Sequence, residues 1–224
     1  MRTAAGRLFF GAPNASDHAR ERLPKINEAL AAAPDGFLMT AGDSHGNRLG
    51  RLPLCGKATV AAGVDGAGGK VYGAVVGRLV FRHRPAAIVL TIGTNDLLAK
   101  NKPSRPDRLA RLVSYGRTIV DTLAARTGRL IVTAVPPVAE RVAGIFDLTA
   151  LERLSRELAG ICARTAGCAF VDPFEGLRSD RFGVARPGAL ADDLHLADYG
   201  EAARRLAPVL CPAPPSATVE ASRR

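Results

Sequence analysis

Gly36-Phe-Leu-Met-Thr-Ala-Gly-Asp-Ser-His-Gly46 joins a short apolar run to a turn-forming pentapeptide, and the reading of this junction decides the fold. The run is too short for an independent helix, and it ends in residues that favour turns and caps. A strand leading straight into such a turn is how open α/β sheets present ligand-binding groups at their carboxyl edge. The same pattern recurs downstream. Ala58–Ala62, Ala87–Ile92, Leu130–Val135 and Ala169–Val171 are further apolar runs of strand length. Amphipathic stretches separate them. Val71, Val75 and Leu79 make one apolar face, with Lys70, Arg78 and Arg82 turned to water, in a helix expected to stop near His83. Leu109, Leu112, Val113, Ile119, Val120 and Leu123 make a second, and Leu148, Leu151, Leu154, Leu158 and Ile161 a third; a last helix follows Leu196. Alternating strands and helices predict a three-layer α/β/α domain, doubly wound around a mostly parallel five-stranded sheet of flavodoxin-like type. Ala87–Ile92 is apolar throughout, as a central strand covered on both faces should be. The polar segment 97–107, with two prolines, reads as a loop.

The chain of 224 residues fits one domain, expected over residues 36–211. Residues 1–35 form an N-terminal extension with a helix near Pro24–Ala33, and the Pro/Ser/Ala-rich residues 212–224 read as a disordered tail. No run approaches the roughly 18 uncharged apolar residues of a membrane span. The apolar stretch near the N-terminus breaks after Phe10, so no secretory leader is expected and the location reads as cytoplasmic. Net charge is +10, but the arginines are scattered along helix faces and aromatics are only 5%, which argues against a nucleic-acid partner. The four cysteines, Cys55, Cys162, Cys168 and Cys211, lack metal-ligand spacing and read as buried reduced thiols, with Cys162 and Cys168 pairing only on export. Oligomeric state is not indicated.

Gly42-Asp43-Ser44-His45-Gly46 admits several readings. It could be a plain strand-to-helix turn capped by Ser or Asp. As G-x-S-x-G it could be the nucleophile elbow of an α/β-hydrolase, with Asp192 and His195 following in the order serine, acid, histidine. That fold normally places its elbow after several strands and takes acid and histidine from separate loops. As G-D-x-H-G before Asn47 it resembles the first motif of metallophosphoesterases. Their two metals need more histidines than His18, His45, His83 and His195 supply, so no metal and no cofactor are expected.

Three further segments favour another identity. Val60-Ala-Ala-Gly63-Val64-Asp65-Gly66 carries a glycine loop after the second strand, Gly93-Thr94-Asn95-Asp96 follows the central strand, and Asp192-Asp-Leu-His195-Leu lies near the C-terminus. Together with Gly42-Asp43-Ser44 they resemble, in order, the four blocks of the SGNH, or GDSL, hydrolases. The resemblance spans residues 42–200. It implies that Ser44, Asp192 and His195 form a catalytic triad, and that the backbone N–H groups of Ser44 and Gly66 and the side-chain amide of Asn95 form an oxyanion hole. A serine hydroxyl needs a base within hydrogen-bond reach, and the base needs a third group to orient it. Spacing alone leaves Asp193 as an alternative orienter. Asp43, Thr94 and Asp96 read as residues that fix the loops, Asp172 as structural, and His18 as far from the blocks.

The implied activity is hydrolysis of a small-molecule or carbohydrate ester through an acyl-serine intermediate. A non-catalytic carbohydrate-binding relative and an acyltransferase on the same fold are the alternatives. Two positions depart from the family: His45 stands where an aliphatic residue is usual, and Ala61 where asparagine is common. Histidine at the first position occurs in relatives that act on acetylated carbohydrates. Lys100, Lys102 and Arg105 suggest a preference for anionic substrates.

Overall fold

A computed structural model describes residues 14–211. Residues 1–13, and residues 212–224 with the expected disordered tail, lie outside the described residues. Five parallel strands, β1 (Leu38–Gly42), β2 (Thr59–Ala61), β3 (Ala87–Thr91), β4 (Leu130–Thr133) and β5 (Cys168–Val171), form one sheet in the order β2-β1-β3-β4-β5. The chain winds outward from β1 to β2, then returns to add β3 on the other side of β1. That reversal opens a crevice beyond the carboxyl ends of β1 and β3, the usual ligand position in such sheets.

Six α-helices flank the sheet: α1 (Ala15–Ala32), α2 (Ser44–Leu49), α3 (Gly69–Val76), α4 (Pro106–Ala124), α5 (Leu148–Ala163) and α6 (Tyr199–Leu210). Strand side chains alternate between two cores, as the two-residue period of a strand requires. Met39, Ile88, Leu90, Leu130 and Val132 join the larger core with α1, α3, α4 and α5. Leu38, Val89 and Ile131 join a smaller one with Leu49 of α2 and Leu206 and Leu210 of α6. Each such aliphatic side chain, once fully buried, contributes about 1.5–3 kcal/mol relative to exposure.

Helix α1 starts at Asn14, whose side chain accepts from Ser16 N–H, and buries Ala19, Leu23, Ile26 and Leu30 on one face. The N-terminal helix is thus part of the main core. Helix α3 is shorter than its apolar period suggests, ending at Val76 with Gly77 as its cap rather than near His83. The Asn27 side chain takes over the next backbone groups, donating to Arg78 O and accepting from Val80 N–H. Leu79 therefore reaches the core from non-helical backbone. The segment after β3 contains a 3-10 turn at Ala99–Asn101 rather than only loop.

The cysteines correct the sequence expectation. They form two disulfides, Cys55–Cys211 and Cys162–Cys168. The first ties the loop beyond α2 to the end of α6, and the second closes the short turn between α5 and β5. Packing of α6 beside α2 and the six-residue separation of the second pair bring the sulfurs together, which spacing in the sequence does not reveal. No helix among the described residues is long and apolar enough to cross a membrane.

Candidate active site

Strand β1 ends in a turn that only glycine allows at its first position. Gly42 has φ +109°, and a Cβ there would lie 1.8 Å from the carbonyl oxygen of Thr91 on β3. Asp43 N–H donates to that same carbonyl, and the Asp43 carboxylate caps α2 by accepting from His45 N–H. Ser44 is thereby the first residue of α2, at the carboxyl edge of the sheet and partly open to solvent.

From the other end of the chain, residues 191–196 bring in His195. Asp192 Oδ1 accepts from the backbone N–H groups of Leu194 and His195, and its Oδ2 lies 2.8 Å from His195 Nδ1. The Nε2 of the same ring lies 3.0 Å from Ser44 Oγ. Partial burial raises the Asp192 pKa, but the two backbone donors and the imidazole outweigh it and hold the carboxyl at about 2. It stays charged at neutral pH, so Nδ1 carries the proton and Nε2 is free to accept from the serine hydroxyl. Asp193 is buried elsewhere, against Arg141.

The glycine loop and the Gly93–Asp96 turn close around the same edge. Val64 N–H donates to Gly42 O, and Asn47 Nδ2 donates to Asp65 Oδ1 over 2.7 Å, which fixes the loop against α2. Gly66 lies in this loop at φ +75°. Asn95, in a 3-10 turn after β3, donates from its side-chain amide to Ala67 O at 3.1 Å. Asp96 Oδ2 accepts from Gly69 N–H, joining the two loops a second time.

Two aspartates beside the site are poor charges. Burial, reinforced by Asp96 and Asp65, pushes Asp43 up to about 8, and its Oδ2 has no hydrogen-bond partner among the described residues. Burial likewise raises Asp96 to about 6. His45 is 2% exposed and its pKa falls to about 3, through burial first and then the neighbouring His195 and Arg48. Its ring is tilted against that of His195 with centroids 5.6 Å apart, and its Nδ1 lies 3.0 Å from the Tyr199 hydroxyl. Burial raises the Tyr199 pKa, so the phenol keeps its proton and donates to His45. His45 is a neutral wall beside the base.

Three contacts escape sequence reasoning. His18 Nδ1 lies 3.1 Å from Asp65 O, although the sequence sets His18 far from every motif. Arg22 Nη2 donates to Asn47 Oδ1 and to Ala61 O. Tyr199 reaches His45. None has a motif signature, because two of the acceptors are backbone carbonyls and the others lie across the fold. Asp172, read as structural, pairs in bidentate fashion with the nearly buried Arg178. Among the described residues no group of three or more His, Cys, Asp or Glu side chains is arranged to hold a metal ion.

Comparison with known proteins adds an independent line. The model of the GDSL-like lipase/acylhydrolase family matches residues 39–203. Among solved structures, a Bacteroides fragilis protein described as a candidate acylhydrolase superposes with a TM-score of 0.69 at 17% identity, covering 89% of this chain and 98% of its own. A GDSL-like lipase from Bacteroides thetaiotaomicron gives 0.64 at 17%, covering 86% and 95%. A variant of an acetyl xylan esterase from Geobacillus stearothermophilus gives 0.57 at 18%, covering 80% and 96%. At these identities the likeness is one of fold. No curated protein matches the chain.

Proposed function

This chain belongs to the GDSL-like lipase/acylhydrolase family, and from that membership we propose that it hydrolyses carboxylic esters through an acyl-serine intermediate. One observation carries the reading: the unbroken relay from Asp192 Oδ2 through His195 to Ser44 Oγ, with links of 2.8 and 3.0 Å. His195 takes the Ser44 proton as Oγ attacks the ester carbonyl, and returns it to the departing alcohol. Asp192 holds the tautomer and offsets the charge of the imidazolium. The oxyanion is met by the N–H groups of Ser44 and Gly66 and by the Asn95 amide, each such donor lowering the barrier by about 3–4 kcal/mol. Water, activated by the same histidine, then releases the acid. No metal or cofactor enters this scheme.

The test is hydrolysis of p-nitrophenyl acetate by the wild type and by Ser44→Ala. Loss of at least about 10⁴-fold in kcat is expected for the variant. Equal rates would reject the enzyme and leave a carbohydrate-binding relative of the same fold, and transesterified product in the presence of added alcohols would point to acyl transfer.

A narrower reading, removal of O-acetyl groups from carbohydrate, draws on His45 and on the fold likeness to an acetyl xylan esterase. A panel of esters that includes acetylated sugars ranks it against longer acyl chains. The two disulfides support an oxidising compartment over the cytoplasmic location expected from the N-terminal sequence.

A further inference from the structure

We propose that His18, on helix α1, is a positioning residue for the oxyanion site: it locks and polarises the peptide group whose N–H belongs to Gly66. The proposal rests on the esterase reading of the site.

The carbonyl of Asp65 and the N–H of Gly66 are the two ends of one planar amide, so they point in opposite directions. Fixing the oxygen fixes the direction of the N–H. His18 Nδ1 lies 3.1 Å from that oxygen. A carbonyl can only accept, so the ring donates there and carries its proton on Nδ1.

The next residue makes the lock necessary. Gly66 sits at φ +75° and has no side chain to hold its peptide plane, and a glycine passes readily between positive and negative φ. An amide preceding such a residue flips at small cost unless something outside the loop holds it. The Asp65 side chain is held from α2 by Asn47 Nδ2, and Asn47 is held in turn by Arg22 of α1. Those contacts place residue 65 but leave its peptide free to rotate. His18 supplies the missing constraint, one turn before Arg22 on the same helix face. The first turn of α1 also lies over the loop: a Cβ built on Gly66 would be 3.9 Å from the Ala15 Cβ.

Orientation is half of the effect. A hydrogen bond on the carbonyl draws electron density from the amide nitrogen, so the N–H at the other end becomes a better donor. That gain matters most when the acceptor is a full oxyanion, and little when it is the ester carbonyl of the bound substrate. His18 should therefore act on kcat far more than on KM.

His18→Leu keeps apolar bulk and removes the donor, whereas His18→Asn presents an amide N–H in place of Nδ1. With p-nitrophenyl acetate, kcat of His18→Leu is expected to fall about 10-fold with KM within about 2-fold. A trifluoromethyl ketone, which adds to the serine and leaves an oxyanion, should bind about 10-fold more weakly to the leucine variant. His18→Asn should recover both values to within about 3-fold of wild type. Wild-type kcat and ketone affinity in His18→Leu overturn the proposal, and so does a loss that asparagine does not recover. Ser44→Ala run alongside separates the two levels. If it stays active the esterase reading fails; if it is inactive while His18→Leu is unimpaired, only the role of His18 fails.

Discussion

Residues 38–50, which carry Ser44, and residues 172–198, which carry Asp192 and His195, meet at one site but are held by different means. The first segment is a fully buried strand in the middle of the sheet, and its turn is pinned to β3 through Asp43 N–H and Thr91 O. The second contains no strand and only one short 3-10 turn. A small separate core of Phe174, Leu177, Ala185, Ala189, Leu196 and Ala202 supports it, together with the Asp172–Arg178 pair and the N–H groups gathered by Asp192. The nucleophile is placed by the sheet, and the base by a handful of local side-chain bonds. The base side is therefore the half that single substitutions loosen most easily.

Asp192 gives the largest expected effect, since it both orients the imidazole and folds the loop that carries it. Asp192→Asn keeps an acceptor for the two backbone N–H groups but presents the wrong polarity to Nδ1, and kcat should drop by about 10³–10⁴-fold with unfolding nearly unchanged. Asp192→Ala should lose the activity and also local protection; hydrogen exchange that stays slow over residues 190–196 would show that the loop has another anchor. Next comes Arg178→Ala, which strands a partly buried carboxylate and should cost about 3–5 kcal/mol in denaturant unfolding. Exchange should quicken across residues 172–186 before it does in β1. Equal loosening of both segments would erase the contrast.

Cys55–Cys211 is the tie between the two halves, joining the loop beyond the nucleophile helix to the helix after the base. Its removal by a Cys55→Ser/Cys211→Ser double substitution should lower stability by about 2–4 kcal/mol, read from the thermal midpoint. Smallest per step is a pH effect on the nucleophile side. Asp43 has its pKa raised to about 8 in the folded chain from an ordinary 3.8, so the fold prefers it protonated. The stabilisation is complete below the unfolded value and is lost as pH climbs towards 8. Wild type should lose at most about 1.4 kcal/mol per pH unit from this group across that window. In Asp43→Asn, which still caps α2, that part of the slope should vanish in unfolding curves taken between pH 4 and 8.

The parallel sheet was legible because its inner strands are buried on both faces and read as unbroken apolar runs. Ala87–Ile92 is the plainest example, and β3 is indeed flanked by β1 and β4. The order of the four blocks was legible as well, since turn residues at strand ends carry strong local preferences. Less could be read where long-range contacts decide. Gly77 and the Asn27 side chain end α3 early, against its apolar period. The cysteine pairs depend on how α6 packs and where α5 stops. His18 and Arg22 act on carbonyl oxygens, and a carbonyl has no sequence identity to recognise.

Ser44 and His195 are separated by 151 residues. While the chain is being made on a ribosome, the hydroxyl emerges long before the imidazole, and no local structure can bring them together. A polypeptide released early would carry the nucleophile without its base and would be chemically silent. On the reading proposed for this site, reactivity is switched on only by completed folding, so the order of synthesis itself guards against premature cleavage.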